Sequence, residues 1–323
     1  MKEISFRSSI AVVGLGLMGS SIIVSFLKAG YRVVALTPLP EELEIGSKRI
    51  QEQLSLCWKM GLLPEALSFY GSRYQVTADY SLLKGCDLVI ECVVEVELIK
   101  KQVYQHIERQ VSVDTIIATN TSAIPISHLQ QYLKLPARFM GIHWAEPAYA
   151  TRFLEITCGR ETKVELAERI RDEAENWEKE PTLLYKDIRG FITNRLMYAV
   201  YREGFSLINK GHISMSGLDK CFQHDMGAWI TIMGIFRRMD FIGLSDYLNI
   251  YKHLFPKLGN LQGVPMQMEK ILEKGGRGIH NLTGLYPHTE ASAEKLEQDF
   301  SNFNEEIYRL SDKYRKKIND LNL

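Results

Sequence analysis

The feature that most constrains this chain is a glycine-rich turn between an apolar strand and a helix near its beginning. The run Ile10–Val13 is short, apolar and β-branched, which is typical of a buried strand in a parallel sheet. Small and apolar residues over 19–29 predict a helix that ends at Gly30, and residues 31–36 predict a second strand. The segment is therefore predicted to form a βαβ unit.

The turn inside this unit has the spacing Gly-x-Gly-x-x-Gly. In such a turn the first glycine allows a tight bend, the second lets a pyrophosphate approach the backbone, and the third lets helix and strand pack closely. The helix that follows offers unpaired N–H groups to phosphate oxygens. Glycines at such turns are often purely structural, but the placement inside a βαβ unit favours dinucleotide binding. The predicted binding turn comprises Gly14, Leu15, Gly16, Leu17, Met18 and Gly19.

Further strands are predicted over 86–93, 115–119, 139–143 and 153–156, mostly separated by amphipathic helical stretches. This alternation predicts a doubly wound Rossmann sheet over residues 1–187. From residue 188 to 323 the periodicity becomes helical, which predicts an all-helical C-terminal domain. Its tail, 291–323, is predicted to be a surface or partner-packing helix.

Charge and cysteine content exclude several classes of protein. The 39 basic and 39 acidic side chains leave no net charge, which argues against binding to nucleic acid or to an anionic membrane. Five cysteines without a CxxC pair argue against a disulfide framework and a zinc site, and favour the cytoplasm. The first apolar run is too short for a signal or a membrane span, so the chain is expected to be soluble. No metal ligand is predicted.

The choice of cofactor depends on the end of the second strand. An acidic residue is expected there to bind the ribose 2′-hydroxyl, but Thr37 occupies the position. Its hydroxyl is able to contact the ribose and does not repel a 2′-phosphate, yet no arginine follows within ten residues. NAD is favoured, and NADP is left open.

His143 and Glu155 are candidates for proton transfer. Taken singly, they are more often a core histidine and a solvated charge. A histidine at a strand end paired with a carboxylate, however, holds one tautomer and stabilises the imidazolium that forms when the ring takes a substrate proton.

Together these residues resemble the L-3-hydroxyacyl-CoA dehydrogenase family over roughly residues 8–290. Five motifs recur in order, which is far more specific than one. They are the glycine turn at 14–19, Glu-Cys-Val-Val-Glu at 91–95 followed by Lys100, Asn-Thr-Ser at 120–122, the pair His143 and Glu155, and Gly-Phe-Ile-Thr-Asn-Arg at 190–195.

The resemblance implies specific roles. His143 is the general base in oxidation and the acid in reduction, Glu155 orients it, and Ser122 and Asn194 hold the reacting oxygen. The nicotinamide-side ribose and phosphates are contacted by Glu95 and Lys100, which without the resemblance are ordinary surface charges. An acyl-CoA substrate, a place in fatty acid metabolism, and a homodimer formed by the helical domain are also implied.

Two departures from the family pattern leave the substrate open. The usual His-Phe-Phe-Asn-Pro becomes His-Trp-Ala-Glu-Pro at 143–147. Glu146 is expected either to act on His143 or a cationic substrate, with Trp144 as cation–π partner, or to face solvent or pair with Arg152. Residues 38–85 show no strict match to the family's CoA-binding helical hairpin.

Three functions are consistent with this pattern. The first is a dehydrogenase of 3-hydroxyacyl thioesters with NAD. The second is a dehydrogenase of a free 3-hydroxy acid such as carnitine or a sugar acid. The third is a dinucleotide-binding protein without turnover. The presence of all four catalytic candidates, His143, Glu155, Ser122 and Asn194, argues against this third function.

Overall fold

The structure of this chain, a computed structural model, describes residues 9–319, with side chains except those of 246, 249, 297, 301, 305 and 315–319. The chain divides between Ile192 and Thr193 into two compact units. The predicted boundary between residues 187 and 188 lies a few residues before this division. Within the described residues, strands occur only in the first unit.

An eight-stranded sheet forms the centre of the first unit, in the order β3-β2-β1-β4-β5-β6-β7-β8. Neighbouring strands are parallel except for β6 and β7, which are antiparallel. The strands are β1 (Ile10–Val13), β2 (Val33–Leu36), β3 (Tyr74–Thr77), β4 (Leu88–Glu91), β5 (Ile116–Thr119), β6 (Phe139–Trp144), β7 (Phe153–Cys158) and β8 (Glu180–Leu184).

Helices cover both faces of this sheet. They are α1 (Leu17–Lys28), α2 (Leu43–Lys59), α3 (Leu67–Gly71), α4 (Glu97–Gln110), α5 (Ile126–Gln130) and α6 (Val164–Ala174). Alternate residues of β1 enter two separate apolar clusters, Ile10 and Val12 one, Ala11 and Val13 the other, because successive strand side chains point to opposite faces. The doubly wound Rossmann sheet predicted from the sequence is confirmed.

The strand register brings the candidate residues to one edge. Val13, at the end of β1, pairs with Leu36 on one side and Glu91 on the other, and Glu91 pairs with Thr119. The carboxyl ends of these parallel strands therefore meet where a doubly wound sheet binds its ligands.

The second unit consists of helices. They are α7 (Ile192–Asn209), α8 (Met215–Cys221), α9 (Gly227–Ile242), α10 (Leu244–Leu254), α11 (Met266–Leu272) and α12 (Glu290–Asn319), with a π-helical segment between α8 and α9. The predicted all-helical C-terminal domain is confirmed. No described helix of the chain is both long enough and apolar enough to cross a membrane.

Burial differs sharply between the two units. Of the side chains that the structure describes, the large apolar ones that are buried all belong to the first unit, from Ile10 to Phe191. Among residues 193–319, as far as they are described, the buried positions are two glycines, one asparagine and one serine. The helical unit therefore exposes many large apolar side chains.

Candidate active site

The glycine turn has the geometry of a phosphate-binding loop. Gly14 has a φ of +106°, and a side chain there would meet the backbone of Cys92 at 2.6 Å. A side chain at Gly19 would meet the carbonyl of Gly14. At Gly16, by contrast, nothing lies within 4 Å of a built Cβ, so this glycine leaves open space beside the first turn of α1. The turn is thus tight at its ends and open at its centre, which fits a pyrophosphate.

Helix α2 supports this turn from outside the glycine motif. Gly46 allows α2 to pack against Leu15, since a built Cβ would lie 2.7 Å from the Leu15 Cδ1 atom. One turn further, the Arg49 guanidinium donates to the Leu15 carbonyl over 3.3 Å. Neither residue was predicted from the sequence, although a glycine inside a helical pattern is a usable signal of close packing.

Thr37 follows β2 at the same edge and is fully buried. Its hydroxyl bonds to the backbone of Leu39, accepting from the amide and donating to the carbonyl, both at 3.2 Å. To contact a ribose, this hydroxyl would have to give up one of these hydrogen bonds within the turn. The contact between Thr37 and the ribose stays a prediction.

A buried polar network lies under the ends of β4 and β5. Glu91 is fully buried and accepts from Lys100 (2.8 and 3.0 Å), Tyr104 (2.8 Å) and Thr119 (2.8 Å). Desolvation lowers the pKa of Lys100, but the carboxylates of Glu91 and Glu95 outweigh it, and the net pKa is raised. Glu91 was predicted only as part of a motif, and its position at the centre of this network was not predicted.

Lys100 links this network to Glu95. The ammonium lies 3.1 Å from the Glu95 carboxylate, which also accepts from the Thr121 hydroxyl. Lys100 is only 1% exposed, so the interpretation of this residue as an ordinary surface charge is wrong. The Glu95 side chain is 41% exposed, and its carboxylate forms an ion pair with the buried Lys100 ammonium. The predicted contacts of both residues with the cofactor stay predictions.

His143 and Glu155 face each other across the antiparallel pair of β6 and β7. They are register partners, and the His143 Nδ1 atom lies 3.2 Å from Glu155 Oε2. The other carboxylate oxygen accepts the Ile192 amide over 3.0 Å, so Glu155 is held on two sides. A neutral imidazole that donates from Nδ1 has its lone pair on Nε2. The arrangement therefore fits a base whose tautomer is fixed by a carboxylate.

The surroundings of this pair are apolar but not closed. Glu155 is 1% exposed, whereas the His143 side chain is 13% exposed. The rings of Phe153 and Phe191 lie 5.4 and 5.9 Å from the imidazole. The alternative interpretation of these residues was a histidine in the core and a glutamate in solvent. The structure differs from it on both points, because the Glu155 carboxylate is buried and the His143 ring is partly exposed.

Ser122 and Asn194 lie in different units. The Asn120 side chain accepts the Trp144 amide over 3.0 Å, which ties the segment 120–122 after β5 to the end of the His143 strand. Ser122 is therefore at the same sheet edge as His143. Asn194 lies in the first turn of α7. Their predicted joint action on the reacting oxygen stays a prediction.

The segment after His143 corrects one expectation. Trp144 is 2% exposed and packs on Trp177 at 6.0 Å, so its proposed role as a cation–π partner of a substrate is wrong. The cation over its ring is Lys179, at 5.3 Å, which also donates to the carbonyls of Ala148 and Thr151. Lys179 thereby fixes the loop that follows β6.

Glu146 lies on this loop and is exposed. Arg152 approaches Glu180 at 3.9 Å. The predicted role of Glu146 in substrate recognition stays a prediction.

In the part of the chain that is described, three or more His, Cys, Asp and Glu side chains do not come together as metal ligands would.

Comparison with known proteins gives matches over nearly the whole chain. The NAD-binding domain of 3-hydroxyacyl-CoA dehydrogenase matches residues 9–188, and the C-terminal domain of 3-hydroxyacyl-CoA dehydrogenase matches residues 190–287. A 5-formyl-3-hydroxy-2-methylpyridine 4-carboxylate 5-dehydrogenase of Mesorhizobium japonicum is 31% identical over 90% of this chain and 94% of its own. A probable 3-hydroxybutyryl-CoA dehydrogenase of Deinococcus radiodurans is 30% identical over 86% of this chain and 99% of its own.

A solved structure is also closely similar. The crystal structure of a 5-formyl-3-hydroxy-2-methylpyridine 4-carboxylic acid 5-dehydrogenase, described as an NAD⁺-dependent dismutase, superimposes with a TM-score of 0.86 at 29% identity. The similarity covers 95% of this chain and 99% of that one.

Proposed function

This chain belongs to the 3-hydroxyacyl-CoA dehydrogenase family, and from that premise we propose that His143 and Glu155 perform its proton transfer. The protein is an NAD-dependent oxidoreductase of the hydroxyacyl dehydrogenase type. The observation that carries the proposal is the 3.2 Å contact between His143 Nδ1 and a buried carboxylate. His143 takes the hydroxyl proton during oxidation and returns it during reduction.

The other residues of the edge position the reactants. NAD, when bound, accepts or supplies the hydride. The turn at 14–19 holds the pyrophosphate on its backbone amides, and Glu95, fixed by Lys100, accepts from the ribose hydroxyls. Ser122 and Asn194 hold the reacting oxygen. Glu155 stabilises the imidazolium after proton transfer, because its buried charge is not screened by water.

For the substrate we favour a small unesterified carboxylic acid over an acyl-CoA. The relative with a TM-score of 0.86 acts, by its name, on a pyridine carboxylate. The region where the family has its CoA-binding helical hairpin forms here one long helix, α2, and one of only five residues, α3. The exposed Glu146, three residues after His143, puts a carboxylate where the family has an amide. A 3-hydroxyacyl thioester, the first interpretation from the sequence, is the second candidate, favoured by the relative from Deinococcus radiodurans.

One assay separates the two substrate classes. Oxidation of NADH is followed with acetoacetyl-CoA, free acetoacetate and dehydrocarnitine, and reduction of NAD with the formyl pyridine carboxylate, each at equal concentrations. We expect a kcat/KM at least tenfold higher for an unesterified acid than for the thioester. Preference for acetoacetyl-CoA would overturn the free-acid proposal and favour a role in fatty acid metabolism.

A second experiment tests the catalytic pair. In His143→Gln we expect kcat to fall by about 10²- to 10⁴-fold, the usual contribution of general acid–base catalysis. NADH affinity, measured by fluorescence, is expected to change little. A variant that keeps full turnover, or one that loses NADH binding as well, contradicts the assigned role. Persistent absence of turnover in the wild type, with NADH bound, would favour the non-catalytic alternative.

We also propose that the protein is a homodimer and works in the cytoplasm. The helical unit exposes large apolar side chains that a partner subunit would cover. The cysteine thiols are all free, and three of them are buried, which fits a reducing compartment. Sedimentation velocity tests the first statement, and fractionation of the native host tests the second.

A further inference from the structure

The last helix carries an apolar stripe on an open face. Its large apolar residues are separated by alternating steps of four and three, the spacing of a heptad seam. Five of them are 43–59% exposed, and Ile307 is half-buried. They are Leu296, Phe300, Phe303, Ile307, Leu310 and Tyr314.

The face of α12 that is buried has the opposite character. Asn304 and Ser311, one heptad apart, are 9% and 4% exposed, although both are polar. Contacts of α12 within its unit are made mainly with α9. The helix thus buries small polar residues inside its own subunit and leaves the apolar seam uncovered, the reverse of an ordinary surface helix.

Charges along α12 are segregated by position. Residues 290–306 contain six Asp and Glu and one Lys, whereas residues 307–319 contain five Lys and Arg and one Asp. Two such helices repel each other when they run in parallel and attract each other when they run antiparallel. An identical helix in the antiparallel direction is therefore a complementary partner for this seam.

We propose that α12 pairs antiparallel with α12 of a second copy of this chain, through the seam from Leu296 to Tyr314. In an antiparallel heptad pair the two kinds of seam position alternate across the interface. This sets Leu296 against Tyr314, Phe300 against Leu310, and Phe303 against Ile307 of the second copy. The seam is about 27 Å long at 1.5 Å per residue.

The register also predicts which flanking residues meet. Asp299, Glu306 and Lys313 recur one heptad apart on the side of the seam away from Asn304 and Ser311. Antiparallel pairing brings Asp299 of one copy beside Lys313 of the other, and Glu306 beside its own counterpart. The contact is isologous, as expected for a closed two-fold dimer. The matched family domains end at residue 287, before α12 begins, so this interface lies outside the matched domains.

Cross-linking tests this register in the full chain. Single cysteines are introduced in a Cys221→Ser background, which removes the one exposed native thiol, and a short bismaleimide is added. We expect Glu306→Cys to form covalent dimers and Asp299→Cys alone to form none. Co-expressed Asp299→Cys and Lys313→Cys chains should cross-link with each other. Dimers of Asp299→Cys with itself would show parallel pairing and overturn the proposal.

Charge reversal gives an independent test in solution. Asp299→Lys and Lys313→Asp each place like charges across the interface, and we expect each to weaken dimerisation roughly tenfold by sedimentation equilibrium. The double variant should restore the wild-type dissociation constant. A monomeric wild type, or single variants without effect on the dimer, would overturn the proposal. NADH turnover of the same variants reports separately on the proposed function.

Discussion

At the residue scale, Lys100 shows how a buried charge supports a binding edge. It lies between a fully buried carboxylate, Glu91, and a partly exposed one, Glu95. Glu91 also has two hydroxyl partners, but Lys100 is the one cation that the structure describes in contact with it. Removing that cation leaves an uncompensated charge in the apolar interior.

We therefore expect Lys100→Met to lower the free energy of unfolding by about 3–5 kcal/mol. Lys134→Met, at an exposed position, serves as the control and should change it by less than about 0.5 kcal/mol. Adding Glu91→Gln to Lys100→Met should recover part of the loss, since a neutral amide replaces the carboxylate. Urea unfolding measures all three. Equal stability of the two lysine variants would contradict the prediction.

Lys179 is a second buried lysine, but its pKa is lowered, whereas the pKa of Lys100 is raised. Burial, followed by repulsion from Lys28, lowers its pKa from 10.5 to about 7. Between pH 7 and 10.5 the unfolded chain binds a proton that the folded protein does not. Wild-type stability should therefore rise with pH across this window relative to Lys179→Met, by up to about 1.4 kcal/mol per pH unit.

Urea unfolding at pH 7, 8 and 9 tests this dependence. Lys163→Met, at an exposed position, is the control and should show the same slope as the wild type. If Lys179→Met also follows the wild-type slope, the ammonium is not the buried group that the structure indicates.

At the element scale, sequence prediction succeeded where strands are buried on both faces. β1, β4 and β5 are mainly apolar runs, and they were predicted within a few residues. The two strands that were missed, β3 and β8, are the edges of the sheet. β3 is half polar, and β8 contains Pro181, which is tolerated only where one side of a strand is unpaired. Edge strands lack the apolar run on which the prediction depends.

The candidate site was predictable to a similar extent. The pairing of His143 with Glu155 was predicted from the motif, and the structure places the two residues opposite each other in the β6–β7 register. The burial of Trp144 and the network around Glu91 were not found, because they depend on Lys179 and Tyr104, which are distant in sequence. The sequence pattern of one segment does not show which side chains from distant parts of the chain pack against that segment.

The packing of α2 against the glycine turn yields a prediction for the cofactor site. A methyl group at Gly46 would lie 2.8 Å from the Leu15 Cβ atom, which is not a flexible chain end. Gly46→Ala should therefore displace the turn, raise the dissociation constant for NADH several-fold, and cost about 1–3 kcal/mol of stability.

The control is Gly71→Ala, at the end of α3, where nothing lies within 4 Å of a built Cβ. Because alanine favours helix over glycine, this change should be neutral or slightly stabilising. Unchanged NADH affinity in Gly46→Ala would show that α2 does not support the turn.

At the scale of the whole molecule, the two units differ in how their stability arises. The α/β unit contains two large clusters of buried apolar side chains and has the composition of a self-sufficient domain. The helical unit, within residues 193–319, has no such cluster in its described part and exposes aromatic and aliphatic side chains on several helices. If its core is completed by a second copy, its stability must depend on protein concentration.

We expect the unfolding midpoint of the helical unit to rise with protein concentration, by about 1.4 kcal/mol of stability for each tenfold increase. Three of the four tryptophans, at positions 58, 144 and 177, lie in the α/β unit. In a Trp229→Phe variant, fluorescence therefore reports that unit, while circular dichroism at 222 nm is weighted toward the helices. A shift in both signals would mean that the units unfold together as a dimer. Midpoints that do not change with protein concentration in either signal would contradict the dimer, because the unfolding of a dimer into two separate chains depends on concentration.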